Sequence, residues 1–553
     1  MNQPFHADTH SRQTADDGPP TDPYRAYAAP RGHGTVVMES SRGELADVWR
    51  EAQRFQSETE FVLGPLRRRS RGRLIHDAIH YTSAYRDVPT IDCQQPLVMA
   101  GHQPTLFHPG VWFKNYALSQ WAHRCGATAI NLVIDNDVAG VPAVKIPAWD
   151  RLAGALHPKT LAFDDGHGGI PYEQSAIRNR DRFESFATEV ASATRGWIDD
   201  PIVNQLWPHA IAATQRCDVA ACALAQARHG LEAQMNWQTL ELPLSVAVRG
   251  EAFASFVITL LQRARHFAII YNEAAQRYRA AHGIRSKAHP VPNLTVTPQW
   301  VECPLWVYGD DTPRRRPVFL RSMGTRVQLL DGDAVLMDLN LSDHDSAVAT
   351  WCESLGPNCK IRPRALLTTM YARWVLSDVF MHGIGGGKYD QLGDDIAFRF
   401  FGFTPPPYIV TSATVRLPGF EDASLADETA ALKQQLRDLR FQPERLSVGW
   451  DSRQRSWVDQ KNELIANRGD VQDLAAWHRR VTAINRQLTG SLERLESSLQ
   501  QRLARARGNQ NQLRWLAGRE HSFCVFPLEF LARTFADMFP VDEGLKTGSG
   551  RAD

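Results

Sequence analysis

LVMAGHQPTLFHPGVWFKNYALSQWAHRCGATAINLVIDNDVAGVPAVKIP, Leu97 to Pro147, holds the two signals from which a parallel sheet is built. A short apolar run, Leu97 to Ala100, stops at Gly101 and passes through a loop with two histidines into a helical pattern. A second apolar run, Ile130 to Ile134, ends in Asp135-Asn136-Asp137. Strand, loop, helix and strand in that order put polar groups after the carboxyl ends of two strands. In an open parallel sheet those ends are where ligands bind. The helix is expected to begin after His108, with Pro109 in its first turn, where a fixed φ and a missing N–H cost nothing. Its start then aims backbone N–H groups and a positive dipole end at the crevice.

Outward from this stretch, Thr35 to Asp150 is read as the first part of a core, with a flexible tail over residues 1–34. Residues 151–360 are read as helical and small β insertions, with short antiparallel strands at Val296–Leu305, Val318–Leu320 and Val327–Leu330. Residues 361–418 return to the core. Arg362-Pro363 leads into an apolar helix from Leu366 to Val379, followed by a glycine-rich turn, Gly383 to Gly387, and Lys388. Such a run can cradle phosphates with backbone N–H groups. Its spacing fits neither the P-loop nor GxGxxG, because His382 stands where the P-loop needs glycine and Lys388 where GxGxxG does.

Residues 419–520 change character. Leu425, Leu432, Leu436 and Leu439 form one stripe, and a second runs from Val471 to Arg507 with steps of three and four, about 55 Å at the helical rise. Together they predict an antiparallel coiled coil that pairs with a second subunit. Residues 521–553 are read as a packing segment and tail.

Composition limits the alternatives. A chain of 553 residues favours about three structural units. A net charge of +1 favours neither nucleic acid nor membrane. The run Arg67 to Arg73 lacks interleaved aromatics and is read as a solvated helix face. No apolar run is long enough to cross a membrane and no leader pattern is seen, so the expected location is cytoplasmic. The eight cysteines include no CxxC, the closest pair being Cys217 and Cys222, and are read as mostly buried, reduced thiols.

These features together resemble the cysteine ligases of bacillithiol biosynthesis. The resemblance rests on Gly101-His102-Gln103, Pro109-Gly110, Trp112-Phe113-Lys114, Ile134-Asp135-Asn136-Asp137, Arg362-Pro363 and Gly383 to Gly387, in family order between Pro96 and Phe530. It implies an α/β fold with a Rossmann-like parallel-sheet core, inserted connecting segments and a C-terminal α-helical coiled coil that dimerises. It also implies a bond formed between cysteine and an amino-sugar conjugate. This chain departs from the pattern at His102, where the family has glutamine, and at Gly386 to Lys388, where an acidic residue is expected. Asp135-Asn136-Asp137 also lacks the family's histidine.

The expected function is therefore a ligase-like enzyme joining an amine to a carboxylate, using ATP or ADP with Mg²⁺. His102 and His108 are assigned to phosphate or oxyanion contact, and Lys114 and Lys388 to charge neutralisation. Asp135 and Asp137 are assigned to the amine or Mg²⁺, with no resident metal. Gly101, Gln103, Arg362, Gly383, Gly385 and Gly386 are expected to line the substrate or nucleotide. The alternative is a non-catalytic coiled-coil interaction protein with a degenerate ligand-binding core.

Overall fold

The computed structural model describes residues 24–88, 91–284, 291–421, 428–446, 449–490 and 492–539. Along the chain, β1 (Thr35–Ser40), β2 (Leu97–His102) and β3 (Thr128–Val133) precede a hairpin of β4 (Ala143–Asp150) and β5 (Ala155–Ala162). After β6 (Leu240–Pro243) come β7 (Val301–Tyr308), β8 (Arg316–Met323), β9 (Arg326–Asp331), β10 (Ala334–Asn340) and β11 (Lys360–Pro363). Finally, β12 (Val379–His382) and β13 (Ile409–Thr414) return to the first sheet.

That sheet has six strands in the order β1-β13-β12-β2-β3-β6, and every pairing except β1 with β13 is parallel. Among its parallel strands the chain starts in the middle, at β2, moves out through β3 and β6, then returns to the other side of β2 with β12 and β13. The direction reverses between β2 and β12, where Val98 pairs with Val379 and Ala100 with Met381. This places a topological switch point at the ends of Gly101-His102 and His382.

The alternation of strand residues separates the two faces of the sheet. Leu97, Met99, Ile130, Leu132, Leu240 and Leu242 join one large core with the helices Glu60–Ser83, Glu251–Leu261 and Ile384–Ile396. Asn131 and Glu241 instead face a buried network with Arg228, whose guanidinium also bonds Glu232 at 2.7 Å. Trp112 and Asn115, from the helix Pro109–Arg124, donate to the same Glu232 oxygen at 2.8 and 2.9 Å. Strand β2 is tied at its start by Asp378, which accepts from Leu97 N at 2.7 Å and from Arg67 and Arg71 at 3.0 and 2.6 Å. Part of the arginine run is thus a buried clamp, which corrects the reading of it as a solvated face.

The second sheet, β10-β9-β8-β7-β11, is antiparallel throughout. Its inward residues, such as Leu305, Val318 and Leu329, belong to the same large core as β2 and β3. The inserted segment is therefore not a separate globule. The chain forms two compact units rather than three, residues 1–415 with 519–553 and residues 416–518.

Two expectations fail on local grounds. Residues 24–34 lack helix and strand but are not a free tail: Tyr27 is buried against Tyr408 and Val410, and Pro30 O accepts from Thr414 Oγ1 at 2.5 Å. The stripe from Val471 to Arg507 is not one helix but two, Leu474–Gly490 and Glu493–Leu516. Gly490 ends the first, and the Leu492 N–H turns back to Thr489 O at 2.8 Å. Within residues 416–518, Leu432 and Leu439 of the helix Glu428–Phe441 pack on Leu499 and Leu503 of Glu493–Leu516. The helix Ser452–Ala466 lies against Leu474–Gly490, with Trp477 Nε1 donating to Leu464 O at 2.7 Å. Leu425, the first residue of the other stripe, lies outside the described residues.

Candidate functional site at the switch point

Two helix starts flank the switch point, and they differ in what remains open. At the helix Pro109–Arg124, His108 is the cap: Gly110 N donates to its Nδ1 at 3.1 Å, and Val111 and Trp112 donate to its carbonyl at 3.0 and 3.4 Å. Pro109 has no N–H to offer. These N–H groups are used internally, so this helix start is not the anion cradle the sequence suggests. His108 lies between Arg519 and Glu520, each 3.4 Å from its Nε2. Burial, reinforced by Arg519 and opposed by Glu520, lowers its pKa to about 4.

The other start follows β12. Gly383 to Gly387 do not form a turn; Gly383 is the N-cap and Gly385, Gly386 and Gly387 already belong to the helix Ile384–Ile396. Two of these glycines allow close packing. A Cβ on Gly386 would lie 2.6 Å from His382 Nδ1, and one on Gly387 2.5 Å from Val410 Cγ2. A Cβ on Gly383 or Gly385 would meet nothing within 4 Å, and no side chain caps this helix. No capping side chain thus occupies this helix start, and there is room above Gly383 and Gly385; an uncapped helix start is the arrangement that favours an anion.

Behind this start lies a chain of buried groups. His382 Nε2 is 2.8 Å from Asp390 Oδ2, which also takes Arg373 at 2.7 Å. Thr369 bonds the other Asp390 oxygen at 2.7 Å. Burial alone would raise the Asp390 pKa, but Arg373 and His382 hold it at about 2. The ionised carboxylate fixes the His382 proton on Nε2, and burial, opposed by Asp390 and reinforced by Arg373 and Lys114, lowers the pKa of the ring and so favours its neutral form. His382 then presents Nδ1 as an acceptor toward Gly386.

Across the reversal, His102 Nδ1 is 3.0 Å from Gln103 O, and burial with the nearby Lys114 lowers the His102 pKa to about 3. The Lys114 ammonium donates to Gly101 O, and its side chain is buried. Burial, then repulsion from Arg228, pushes its pKa down to about 7.

The other expected site residues form a second cluster past the ends of β3 and β11. Asp135 accepts from Ser245 N at 2.9 Å and from Ser245 Oγ at 2.5 Å; burial and Glu173 raise its pKa to about 7. Asp137 takes Gln103 Nε2 at 3.0 Å, Arg315 at 3.2 Å and its neighbour Val138 N at 2.8 Å. Arg362 grips Glu173 with two hydrogen bonds, 2.9 and 3.0 Å, and Tyr308 donates to the same carboxylate. Both aspartates and Arg362 are thus held by protein partners. Lys388 lies elsewhere again, close enough to His282 to depress its pKa after burial has done so.

The structure therefore gathers Gly101, His102, Lys114, Gly383, Gly385 and Gly386 at the switch point. It sets Gln103, Asp135, Asp137 and Arg362 in a neighbouring brace, and leaves His108 and Lys388 outside both. His382, Asp390 and Arg373 carry much of the site's electrostatics and were not assigned from sequence. The available signal was a histidine closing an apolar strand before glycines, with Asp390 two helical turns on. Beside the loop after β2 opens a cavity of about 580 Å³, lined by Thr105, Lys145, His167, Tyr172, Arg178 and Arg314, among others. Among the described residues, no group of three or more His, Cys, Asp or Glu side chains could hold a metal ion. No single described helix is long and apolar enough to cross a membrane. No family model and no curated protein matches the sequence.

Proposed function

We propose that the chain is a ligase-like enzyme with a Rossmann-like core, joining an amine to a carboxylate, with cysteine as the amine and an amino-sugar conjugate as its partner. The observation that carries this reading is the uncapped start of Ile384–Ile396, open above Gly383 and Gly385 and adjoining β2 at the switch point. A helix start of this kind, with the Lys114 charge nearby, suits the polyphosphate of ATP or ADP. Asp135 and Asp137 suit Mg²⁺ poorly, because Ser245, Gln103 and Arg315 already engage them. The nucleotide, when bound, supplies the leaving group that activates a carboxylate.

In this reading the glycine N–H groups hold phosphate oxygens, and Lys114 in its charged form lowers the cost of placing anionic charge there. His382, neutral and fixed by Asp390, takes the proton of the attacking amine at Nδ1. The stripes of residues 416–518 support a coiled coil that pairs two copies of the chain.

Titration calorimetry with ATP and ADP, paired with an assay for a cysteine- and ATP-dependent product, tests the proposal. Binding with product formation is expected, and His382→Gln should lower turnover by roughly 10²–10⁴ while nucleotide still binds. Neither heat nor product would refute the ligase reading and leave the interaction-protein alternative.

A further inference from the structure

The polar loop Asp164-Asp165-Gly166-His167-Gly168-Gly169, which the ligase reading does not use, forms one wall of the 580 Å³ cavity beside the loop after β2. Its backbone is held in place. Gly169 N donates to Ala139 O at 2.9 Å, Ala139 N to Ile170 O at 2.8 Å and Phe163 N to Pro142 O at 2.8 Å, stitching residues 163–170 to residues 139–142. Gly168 has a φ of +70°, and a Cβ there would lie 2.7 Å from Gly140 C, so the close approach of the two loops requires glycine. A second wall is fixed by Ala220 N donating to Ser175 O at 3.0 Å and by Ile177 N donating to Asp218 O at 2.8 Å. On a third side, Phe523 N bonds Phe107 O at 2.8 Å and so holds the segment of Glu520 and Ser522 to that of Leu106.

Charge is unevenly distributed around this cavity. Lys145, Arg178 and Arg314 line it, and so do Asp164 and Glu520. The two acids are already engaged. Asp164 is buried and its Oδ1 accepts from Arg178 N and Asn179 N at 2.9 and 2.8 Å, while Glu520 lies 3.1 Å from Arg519 and 3.4 Å from His108. Arg178 and Arg314 are exposed, and neither guanidinium forms an ion pair among the described residues. Apolar side chains such as Val141 and Phe163 complete the lining. A pocket with apolar walls and a few charges of one sign selects a ligand with an apolar body and the opposite charge.

We infer that this cavity is a binding site for a small organic oxyanion, a carboxylate or phosphate carried on an apolar body. Arg178 and Arg314 take its charge, and Val141 and Phe163 face the body. A guanidinium suits either oxyanion through its paired N–H donors. None of the glycines at the start of Ile384–Ile396 lines this cavity, so the inference stands whether or not a nucleotide binds there.

The test uses the full-length protein with phenylacetate, phenyl phosphate, inorganic phosphate and the uncharged phenylacetamide as probes. Titration calorimetry measures affinity, and hydrogen–deuterium exchange locates the site. At least one of the two aromatic anions is expected to bind saturably, with protection of residues 139–145 and 163–178. The tighter of the two tells a carboxylate ligand from a phosphate one. Phenylacetamide and inorganic phosphate should each bind about tenfold or more weakly than that probe. Combining Arg178→Gln with Arg314→Gln should weaken the probe about tenfold or more, at exposed positions where folding is not at stake. Val141→Asp, also exposed, should weaken it by setting a carboxylate in the apolar wall. Rising ionic strength should weaken binding to the parent protein more than to the double variant. The inference is overturned if neither aromatic anion binds, if the amide or inorganic phosphate binds as tightly, or if the substitutions leave affinity unchanged. It is also overturned if protection falls only on residues 383–387, whereas failure of ATP to bind would leave this site untouched.

Discussion

Single buried residues on and beside the parallel sheet set pH dependence with opposite signs. Lys114 has a folded pKa of about 7 against the ordinary 10.5 of a lysine, so between these values the unfolded chain keeps a proton that the native state has lost. Stability contributed by this group therefore rises as pH increases from about 7 to 10.5, and below 7 the buried ammonium is a cost. Glu241, raised from 4.5 to about 7 by burial against the pull of Arg228, behaves conversely: its contribution is lost as pH rises through that window. Urea unfolding between pH 4 and 10 should show Lys114→Met flattening the rise above 7 and Glu241→Gln flattening the fall below it. Lys114→Met should also weaken nucleotide binding about tenfold or more, and because a bound anion favours the charged lysine and so raises its pKa, wild-type binding should weaken as pH rises above 7. Gly110 is constrained sterically instead. A Cβ there would stand 2.1 Å from Ala413 O, so Gly110→Ala must lift the helix from β13 and should cost about 1–3 kcal/mol or more in thermal unfolding.

At the scale of elements, what could be read from sequence followed burial on both sides. Strands β2 and β3 are apolar runs because the sheet is covered on each face, and they were legible for that reason. The edge strand β1, the hairpin β4–β5 and the short β11 are only partly apolar and were missed. The glycine run misled because flexibility in a turn and close packing in a helix select the same residue; only the positions of His382 and Val410 distinguish them. For the same reason the brace around Asp135 and Glu173 was half visible. Its acids were legible, but their pairing with Ser245, Arg362 and Tyr308 joins residues far apart in the chain. The link from Arg373 through Asp390 to His382 joins three successive elements around β12, and all three side chains are buried. Asp390→Ala would leave Arg373 with Asp394 and the Pro406 carbonyl, and His382 without its proton acceptor. A loss of about 3–5 kcal/mol is expected by chemical denaturation, as for other broken buried pairs. Asp390→Asn keeps the volume and should lose less stability, yet still lower turnover if His382 depends on a fixed proton.

At the scale of the molecule, the chain leaves its α/β unit after Val415 and returns at Arg519. The two points are close together. Arg519 donates to Ala413 O at 3.0 Å and to Ser412 Oγ at 3.3 Å, fastening the return to the end of β13. After the return, Phe523 stacks near Trp112 at 4.7 Å between ring centroids, so the last described segment completes the core around the helix Pro109–Arg124. The intervening 416–518 unit has its own leucine core and its own buried lysine, Lys461, bonded to Phe441 O at 2.9 Å and Glu444 at 2.6 Å. Lys461 thus finds both its partners within its own unit, and replacing residues 416–518 with a short Gly/Ser linker should leave the α/β unit folded, with one cooperative thermal transition. If the helical unit is what pairs two copies, light scattering should give a dimer for the full chain and a monomer for the excised one, with nucleotide binding at Gly383 and Gly385 retained by both. A full chain that is already monomeric, or an excised chain that remains dimeric, would remove pairing from the helices and place any association on the α/β unit.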